Sequence, residues 1–430
     1  METIFALGTG AGRAAIAVIR LSGPGVCETL SAFAGGLPEP RRAAFVTLRD
    51  PDKGEPLDQG LAIYFPGPHS ATGEDYAEFQ IHGGGAVIDG VLAALSRRPG
   101  LRPAEPGEFA RRGFANGKLD LSQAEALADL IDAQTEAQRR QALRIAGGAL
   151  RRKVEGWRTS FIEALALVEA ELDFSDEADV SGVDIARLAA ILDVPHAEML
   201  AALERAPAAE RMRDGFLVMI LGRPNAGKST LLNALARRDL AIVSATPGTT
   251  RDMIEAHLDL DGLPVTFVDT AGLRDAADEI ERIGVDRVLE RVETADLALW
   301  LSAAGEEPEC VSGVEIVKVA TKGDLVGAPS GWLGICAKTG AGLDALLKEV
   351  SDRAKAKMGD GGSALLIRER HRSAVAVAAA AVDSALAPDK ELEFIAEDLR
   401  SAARALGRII GAVDVEHVLD AVFSRFCIGK

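Results

Sequence analysis

The sequence predicts a multidomain α/β chain: an N-terminal α+β domain, then an all-α helical domain interrupted by an inserted P-loop domain. Three observations predict it. The chain has 430 residues, more than one hydrophobic core usually serves. Its composition changes regime near Leu119 and again near Arg213. In its middle, an apolar run leads through Gly222-Arg223-Pro224-Asn225-Ala226-Gly227-Lys228-Ser229 into a helical pattern.

Residues 1–118 carry short β-like runs, such as Ala15 to Arg20 and Leu61 to Phe65, separated by Gly and Pro turns, and form the α+β domain. Residues 119–212 are the first part of the helical domain. Leu119-Asp120-Leu121-Ser122-Gln123-Ala124-Glu125 opens a long Ala/Leu/Glu/Arg stretch that runs with few breakers to about Asp173. Helix resumes near Asp184 and stops at about Arg213. Residues 213–355 are the inserted domain. Gly359-Asp360-Gly361-Gly362 then joins it to residues 356–430, the second helical part. There Ile395, Leu399, Ala402, Leu406 and Ile410 recur at steps of three and four, one face of a helix. An insertion of this kind passes motion through two neighbouring hinges. No internal repeat is present.

Hydrophobic residues make up 48% of the chain and aromatic residues 4%, so the cores are built from Ala, Leu, Val and Ile. The formal charge of −17 argues against a broad nucleic-acid-binding surface, because phosphate contacts need clustered Lys and Arg. Arg97-Arg98, Arg111-Arg112, Arg139-Arg140 and Arg151-Arg152-Lys153 are the local basic candidates, and each reads first as a solvated face. The four cysteines, Cys27, Cys310, Cys336 and Cys427, have no metal-like or disulfide-like spacing, which fits a reducing, cytoplasmic setting. No signal peptide and no membrane span is expected: Glu2 is acidic, and no run approaches the roughly 18 apolar residues a span needs. The terminal Cys427-Ile428-Gly429-Lys430 has the outline of a prenylation box, but Lys is a poor last residue for one.

The inserted domain carries the chemistry. Phe216 to Leu221 reads as a buried strand, and Leu231 to Ala236 as the helix after the loop. Backbone N–H groups of such a loop curl around phosphate oxygens; Lys228 reaches the β- and γ-phosphates, and the Ser229 hydroxyl ligates Mg²⁺. Ala226, Gly227 and Thr230 complete the loop's nucleotide contacts. Val265-Thr266-Phe267-Val268 is a second core strand, ending in Asp269-Thr270-Ala271-Gly272, a DxxG. Asp269 can hold Mg²⁺ through water, and the Gly272 amide can sense the γ-phosphate. Thr249-Thr250-Arg251-Asp252 lies where a switch threonine belongs, and Thr250 is the candidate second Mg²⁺ ligand. A strand from Val314 to Ala320 leads into Thr321-Lys322-Gly323-Asp324, similar to the guanine-reading NKxD, with Asp324 placed to accept from the base N1 and N2. Thr stands where Asn is usual; its hydroxyl organises the loop without reproducing the amide's contacts. Cys336-Ala337-Lys338 follows at the place of a SAK-type loop. Four ordered elements imply a GTP-hydrolysing domain.

Leu273 follows the DxxG, where Ras-like enzymes place the water-orienting glutamine. Asp275, Asp278, Glu279 and Glu281 lie downstream, mostly a solvated helix face, with one available as general acid or base. Asn225, three residues before Lys228, can turn its amide oxygen toward a monovalent cation at the phosphates or can simply cap local backbone. Carbonyls of the compact segment Val243 to Asp252 are available to the same ion. A cation there does the electrostatic work of an arginine finger.

GRPNAGKST at 222–230, PGTTRD at 247–252, DTAGLRDAADEIERIG at 269–284 and the terminal Phe426-Cys427-Ile428-Gly429-Lys430 together resemble the MnmE (TrmE) family of tRNA modification GTPases. So do Glu2 to Leu7, Ile16 to Gly23, Thr72-Gly73-Glu74-Asp75, His82-Gly83-Gly84 and Asn116 to Leu121, so the resemblance covers the whole chain. It implies that Asn225, Ser244, Thr246 and Thr249 ligate K⁺ and that Glu281 orients or protonates during hydrolysis. It implies G domains that pair across their nucleotide faces, and a dimerising N-terminal domain like the folate-binding modules of aminomethyltransferases. Arg20, Glu78, Lys118 and Lys430 match the positions that contact a tetrahydrofolate one-carbon derivative, 5-formyl- or methylene-tetrahydrofolate. Cys427 matches a cysteine sometimes given a catalytic role; a terminal packing role is the simpler reading. The implied reaction adds a carboxymethylaminomethyl (or aminomethyl) group to C5 of the wobble uridine of certain tRNAs. The implied assembly is a homodimer joined by the FAD-dependent flavoprotein MnmG in a heterotetramer. The chain has no G-x-G-x-x-G fingerprint of its own, so flavin chemistry falls to that partner. Thr321 and Thr246-Pro247 depart from the family pattern. Two alternatives stand beside this reading. A ribosome-assembly GTPase of Era or Der type would carry a basic RNA-binding module. The other is a non-catalytic nucleotide switch: intact Lys228, Ser229, Thr250 and Asp269 argue for catalysis, while Leu273 keeps the switch open.

Overall fold

A computed structural model describes residues 2–10, 12–173, 185–238, 240–242, 255–269, 294–308, 313–322, 327–359, 361–413, 419, 422–424, 426 and 429. Its backbone divides into two compact units. One comprises 1–128, 146–159 and 403–430; the other comprises 129–145 and 160–402.

The first unit is built on six strands: β1 (Thr3–Leu7), β2 (Ile16–Ser22), β3 (Ala44–Arg49), β4 (Pro56–Phe65), β5 (Tyr76–His82) and β6 (Leu101–Pro103). They lie in the order β3-β4-β5-β2-β1-β6, antiparallel except for β1 beside β6. Period-two alternation decides its faces. Ala17, Ile19 and Leu21 of β2 and Ala77, Phe79 and Ile81 of β5 are buried in one core with Leu30 and Phe33 of α1 (Val26–Ala34) and Val91 and Leu95 of α2 (Gly85–Ser96). Arg20 and Glu78 therefore fall on the other face, and the register sets them directly opposite each other. That second face is partly apolar: Ile4, Ala6 and Tyr76 pack with Ala104 and with Phe109 of α3 (Glu108–Ala115). An ion-pair network holds α3 to it. Arg102 and Arg112 both bond Glu108, and Arg112 also bonds Glu74 at 2.9 Å. Burial alone would raise the Glu108 carboxyl, but the two guanidiniums and the Glu105 N–H outweigh it and hold it at about 2.

The end of the chain belongs to the same unit. Phe423 and Phe426 share a cluster with Ala110 and Ala124, and the Phe423 ring lies 6.4 Å from that of Phe114. Gly429 takes a left-handed φ of +96°, and a Cβ there would meet the Leu7 carbonyl oxygen at 2.2 Å. Only glycine fits so close against β1.

The helical stretch expected from Leu119 to Asp173 is not continuous. It forms α4 (Leu121–Asp132), α5 (Glu136–Ala146) and α6 (Ala149–Asp173). The first break is a capping box: the Gln138 side chain accepts the N–H of Thr135 at 3.1 Å, and Thr135 Oγ1 accepts the N–H of Gln138 at 3.3 Å. The second falls at Gly147-Gly148, where Gly148 has φ +79°. Helix resumes as α7 (Ile185–Asp214), one residue after the expected start.

In the second unit the inserted sheet has seven strands: β7 (Phe216–Gly222), β8 (Ala241–Ile242), β9 (Glu255–Leu260), β10 (Leu263–Asp269), β11 (Leu297–Ser302), β12 (Ile316–Ala320) and β13 (Leu333–Gly334). Their order is β13-β12-β11-β7-β10-β9-β8, parallel except at β9, which runs antiparallel to both its neighbours. β7 reads as an unbroken apolar run because both faces are covered. Val218 and Ile220 join one core, and Met219 and Leu221 another. Strand order reverses at β7, which makes the carboxyl ends of β7 and its neighbours the place for a ligand.

Both junctions of the inserted domain are fastened to α5. Gln138 Nε2 donates to the carbonyl of Arg213, where the domain begins, at 2.9 Å. Gln141 Nε2, buried, donates to the carbonyls of Ala209 and Gly361, each at 3.1 Å. The domain ends in α9 (Leu343–Met358), with α8 (Lys228–Ala236) after the phosphate loop; α10 (Glu369–Ala385) and α11 (Leu392–Ile410) follow. The face expected on α11 is buried at every position: Ile395, Leu399, Ala402, Leu406 and Ile410.

Candidate functional site

The phosphate loop joins β7 to α8 through residues 223–227. Gly227, at φ +99°, caps the helix N-terminus in a left-handed conformation. Asn225 is also left-handed, at φ +63°, a region Asn tolerates better than most residues. Its side chain is exposed. Lys228 is buried, and its Nζ donates to the Gly222 carbonyl at 2.9 Å and the Arg223 carbonyl at 3.2 Å. Its ammonium thus lies over the loop's own acceptors, where incoming phosphate oxygens would compete for it.

Ser229 Oγ donates to Asp269 Oδ2 at 2.6 Å. β10 runs parallel to β7, with Asp269 in register with Ile220, and that register delivers the carboxylate to the loop. Two of the three sequence-expected Mg²⁺ groups therefore meet as oxygen donors at one point, the donor chemistry Mg²⁺ requires. Next to it, Thr321 Oγ1, buried at the end of β12, donates to the Ala226 carbonyl at 2.8 Å. The following Lys322 is exposed, at φ +59°. The Ile335 N–H donates to the Ala320 carbonyl at 2.8 Å, which brings the Cys336-Ala337-Lys338 loop alongside. A Gly340 N–H to Cys336 carbonyl bond of 2.9 Å closes that loop into a turn.

Among the described residues, then, Asn225, Ala226, Gly227, Lys322, Ala337 and Lys338 lie on loops, Lys228, Ser229 and Thr230 in the first turn of α8 and Asp269 at the end of β10, all at the carboxyl ends of β7, β10, β12 and β13. Ser244, Thr246, Thr249, Thr250, Thr270, Ala271, Gly272, Glu281 and Asp324 lie outside the described residues, as do Leu273, Asp275, Asp278 and Glu279.

The second candidate site is in the first unit. Arg20 Nε is 3.6 Å from Glu78 Oε1, and Arg20 Nη1 donates to the Gly429 carbonyl at 3.1 Å. The Tyr76 hydroxyl donates to Glu78 Oε1 at 3.1 Å. Burial pushes the Tyr76 phenol well above its ordinary value, so it stays a donor. Arg20 Nε is buried with no hydrogen-bond partner among the described residues. A buried N–H left open beside an acceptor carboxylate suits a ligand that carries both acceptors and donors, as a pterin and its tail do. Lys118 is exposed, its Cε 3.2 Å from where a Cβ on Gly73 would stand, next to Asn116. Lys430 and Cys427 lie outside the described residues.

Sequence reasoning missed two contacts. The Gly429 carbonyl at Arg20 joins residues 409 positions apart, and no local pattern announces it. Asp296, buried just before β11, accepts from Arg211 Nε at 2.5 Å and the Leu217 N–H at 3.1 Å, while its own carbonyl accepts from Lys357 Nζ at 2.7 Å. An acid directly before the apolar run Leu297 to Leu301 was the only signal for it.

Residues 3–118 match the family described as "GTP-binding protein TrmE N-terminus", and residues 121–427 match "MnmE helical domain". The tRNA modification GTPase MnmE of Methylorubrum populi is 55% identical over 440 residues, spanning 100% of this chain and 98% of its own. That of Beijerinckia indica is 52% identical over 435 residues, spanning 100% of this chain and 96% of its own. Among solved structures, a variant of Aquifex aeolicus Era bound to GDP·AlF4⁻ is similar over 32% of this chain and 56% of its own. Its identity is 25% and its TM-score 0.26, too low to carry an argument. Similarity above one half, sustained across the N-terminal sheet, the phosphate loop and the helices around it, assigns the whole chain: it belongs to the MnmE family of tRNA modification GTPases.

Proposed function

We propose that this GTP hydrolase is potassium-activated and that its turnover drives addition of a carboxymethylaminomethyl (or aminomethyl) group to C5 of the wobble uridine of certain tRNAs. The observation that carries the nucleotide half is the meeting of Ser229 and Asp269 at 2.6 Å on a loop whose lysine lies over its own carbonyls. In this reading Lys228 exchanges those carbonyls for β- and γ-phosphate oxygens, and Ser229, Thr250 and Asp269 hold Mg²⁺. Asn225, Ser244, Thr246 and Thr249 hold K⁺. Bound there, the cation supplies positive charge to the transferring phosphoryl group, as an arginine finger does. Thr270, Ala271 and Gly272 follow the γ-phosphate, Lys322 and Asp324 read the base, and Ala337 and Lys338 close over it. Leu273 has no polar atom with which to orient water, so Glu281 takes the part of general acid or base.

The N-terminal half binds a tetrahydrofolate one-carbon derivative, either 5-formyl- or methylene-tetrahydrofolate. Glu78 accepts from pterin N–H groups, and Arg20, Lys118 and Lys430 meet the anionic tail. The supporting observation is the direct contact of Arg20 with both Glu78 and Gly429. Residues 1–118 form the folate-binding and dimerisation domain, 213–355 the G domain, and 119–212 with 356–430 the helical domain. The working assembly is a cytoplasmic homodimer that joins a flavoprotein, MnmG, for the redox step. Among the described residues, no helix is long and apolar enough to cross a membrane.

Removing Gly429-Lys430 separates the two halves. GTP hydrolysis is expected to persist within about twofold, while 5-formyl-tetrahydrofolate binding and tRNA modification are lost. Modification that survives the deletion would refute the folate assignment.

A further inference from the structure

We infer that Thr321 is a positioning residue for the phosphate loop, and that it gives no hydrogen bond to guanine N7. The inference rests on the reading of residues 222–229 and 321–324 as the GTP site. Thr321 is held firmly. Its N–H donates to the carbonyl of Ser302 in β11 at 2.9 Å, continuing the sheet one residue beyond β12. Ser302 is itself buried, and its hydroxyl accepts the N–H groups of Ala304 at 3.2 Å and Glu306 at 3.0 Å. From that anchor, Thr321 Oγ1 reaches Ala226 O at 2.8 Å, and a carbonyl can only accept.

The bonded carbonyl belongs to the peptide whose N–H is that of Gly227. In a planar trans peptide the C=O and the N–H point in opposite directions. Drawing the carbonyl toward Thr321 therefore aims the Gly227 N–H the other way, as a nest of amides needs to hold phosphate. The Thr321 side chain also backs the glycine, its Cβ, Cγ2 and Oγ1 lying 3.9 to 4.0 Å from where a Gly227 Cβ would stand. The base-side loop thus sets the geometry of the phosphate-side loop.

A hydroxyl has one hydrogen, and here it is committed. An asparagine amide has two, so it can fix the loop and still donate. Guanine N7 is an acceptor. Toward it Thr321 offers only lone pairs, and replacing N7 by carbon should cost this enzyme nothing at residue 321.

The test uses the full chain and measures equilibrium binding of Mg-GTP and of 7-deaza-GTP to the wild type, Thr321→Val and Thr321→Ser, with thermal melting to confirm that each is folded. The wild type should bind the two nucleotides within about twofold of each other. Thr321→Val should weaken both equally, by roughly five- to tenfold, as expected for one lost hydrogen bond to a buried carbonyl. Thr321→Ser, which keeps the hydroxyl, should restore both to within about twofold. The inference is overturned if the wild type binds 7-deaza-GTP about tenfold more weakly and Thr321→Val abolishes that difference, because the hydroxyl then reads N7. It is overturned equally if Thr321→Val binds GTP as the wild type does. A wild-type chain that binds neither nucleotide would refute the site reading itself.

Discussion

The two candidate sites differ in how the chain builds them. The phosphate loop is a contiguous segment whose amides, lysine and serine come within eight residues, from Gly222 to Ser229. The Arg20–Glu78–Gly429 cluster is assembled from two strands and the far end of the chain. One depends on local backbone conformation. The other depends on strand register and on the docking of a terminal segment by Phe423 and Phe426. A loop of the first kind fails when one side chain is removed, whereas a cluster of the second kind also fails when its distant support is disturbed.

The largest expected effect falls on the local site. Lys228→Ala should lower GTP turnover by about 10²–10³-fold or more, measured at saturating GTP, because a donor aimed at developing phosphate charge is lost. Binding of 5-formyl-tetrahydrofolate should not change. A parallel loss of folate binding would break the division between the sites.

At the assembled site, Glu78→Ala should weaken 5-formyl-tetrahydrofolate by roughly 10–100-fold, a charged hydrogen bond's worth, and leave GTP turnover within about twofold. Titration calorimetry on the full chain decides this.

The support beneath that site offers a third test. Glu108 is paired with Arg102 and Arg112 and held at about 2, well below its ordinary 4.5. A depressed carboxyl stabilises the fold fully above its unfolded value and loses that contribution as the pH falls through the folded one. The first unit should therefore lose stability between about pH 4.5 and pH 2. Glu108→Ala should flatten that part of the profile and cost about 3 kcal/mol at pH 7, since it strands two arginines. A profile unchanged by the substitution would remove the ion pairs from the account.

The smallest effect should come from Gly429→Ala. A Cβ would strike the Leu7 carbonyl at 2.2 Å in a backbone region that disfavours side chains, so the terminal loop must lift. Global melting should shift by no more than a few degrees, while folate affinity falls several-fold. Unaltered affinity would mean that the terminal loop does not complete the site.

The same contrast explains what could be read in advance. β7, β10 and the helix after the loop were legible because a strand covered on both faces must be apolar throughout, as Val218 to Leu221 is. The buried face of α11 was legible from its steps of three and four. The breaks near Thr135 and Gly148 were harder to see. They are made by one reciprocal pair of capping side chains and one left-handed glycine inside a composition that favours helix. Taken alone, Arg20 ends a β-like run and Glu78 sits in an alternating one, and neither carries a local signal of function. Alternation gives the face each occupies, but their pairing needs the β2–β5 register. The family resemblance named them before the register could. The Thr321–Ala226 bond lay between these cases: the threonine was visible as a departure from NKxD, whereas its partner 95 residues away was not.

The most direct measurement is GTP turnover by the purified chain alone in matched KCl and NaCl, with ATP as control. Rapid hydrolysis of GTP in potassium, little in sodium and none of ATP is the result this account predicts. Equally slow hydrolysis in both salts would contradict it, removing Asn225 as an ion ligand and leaving a nucleotide switch that needs a partner to turn over.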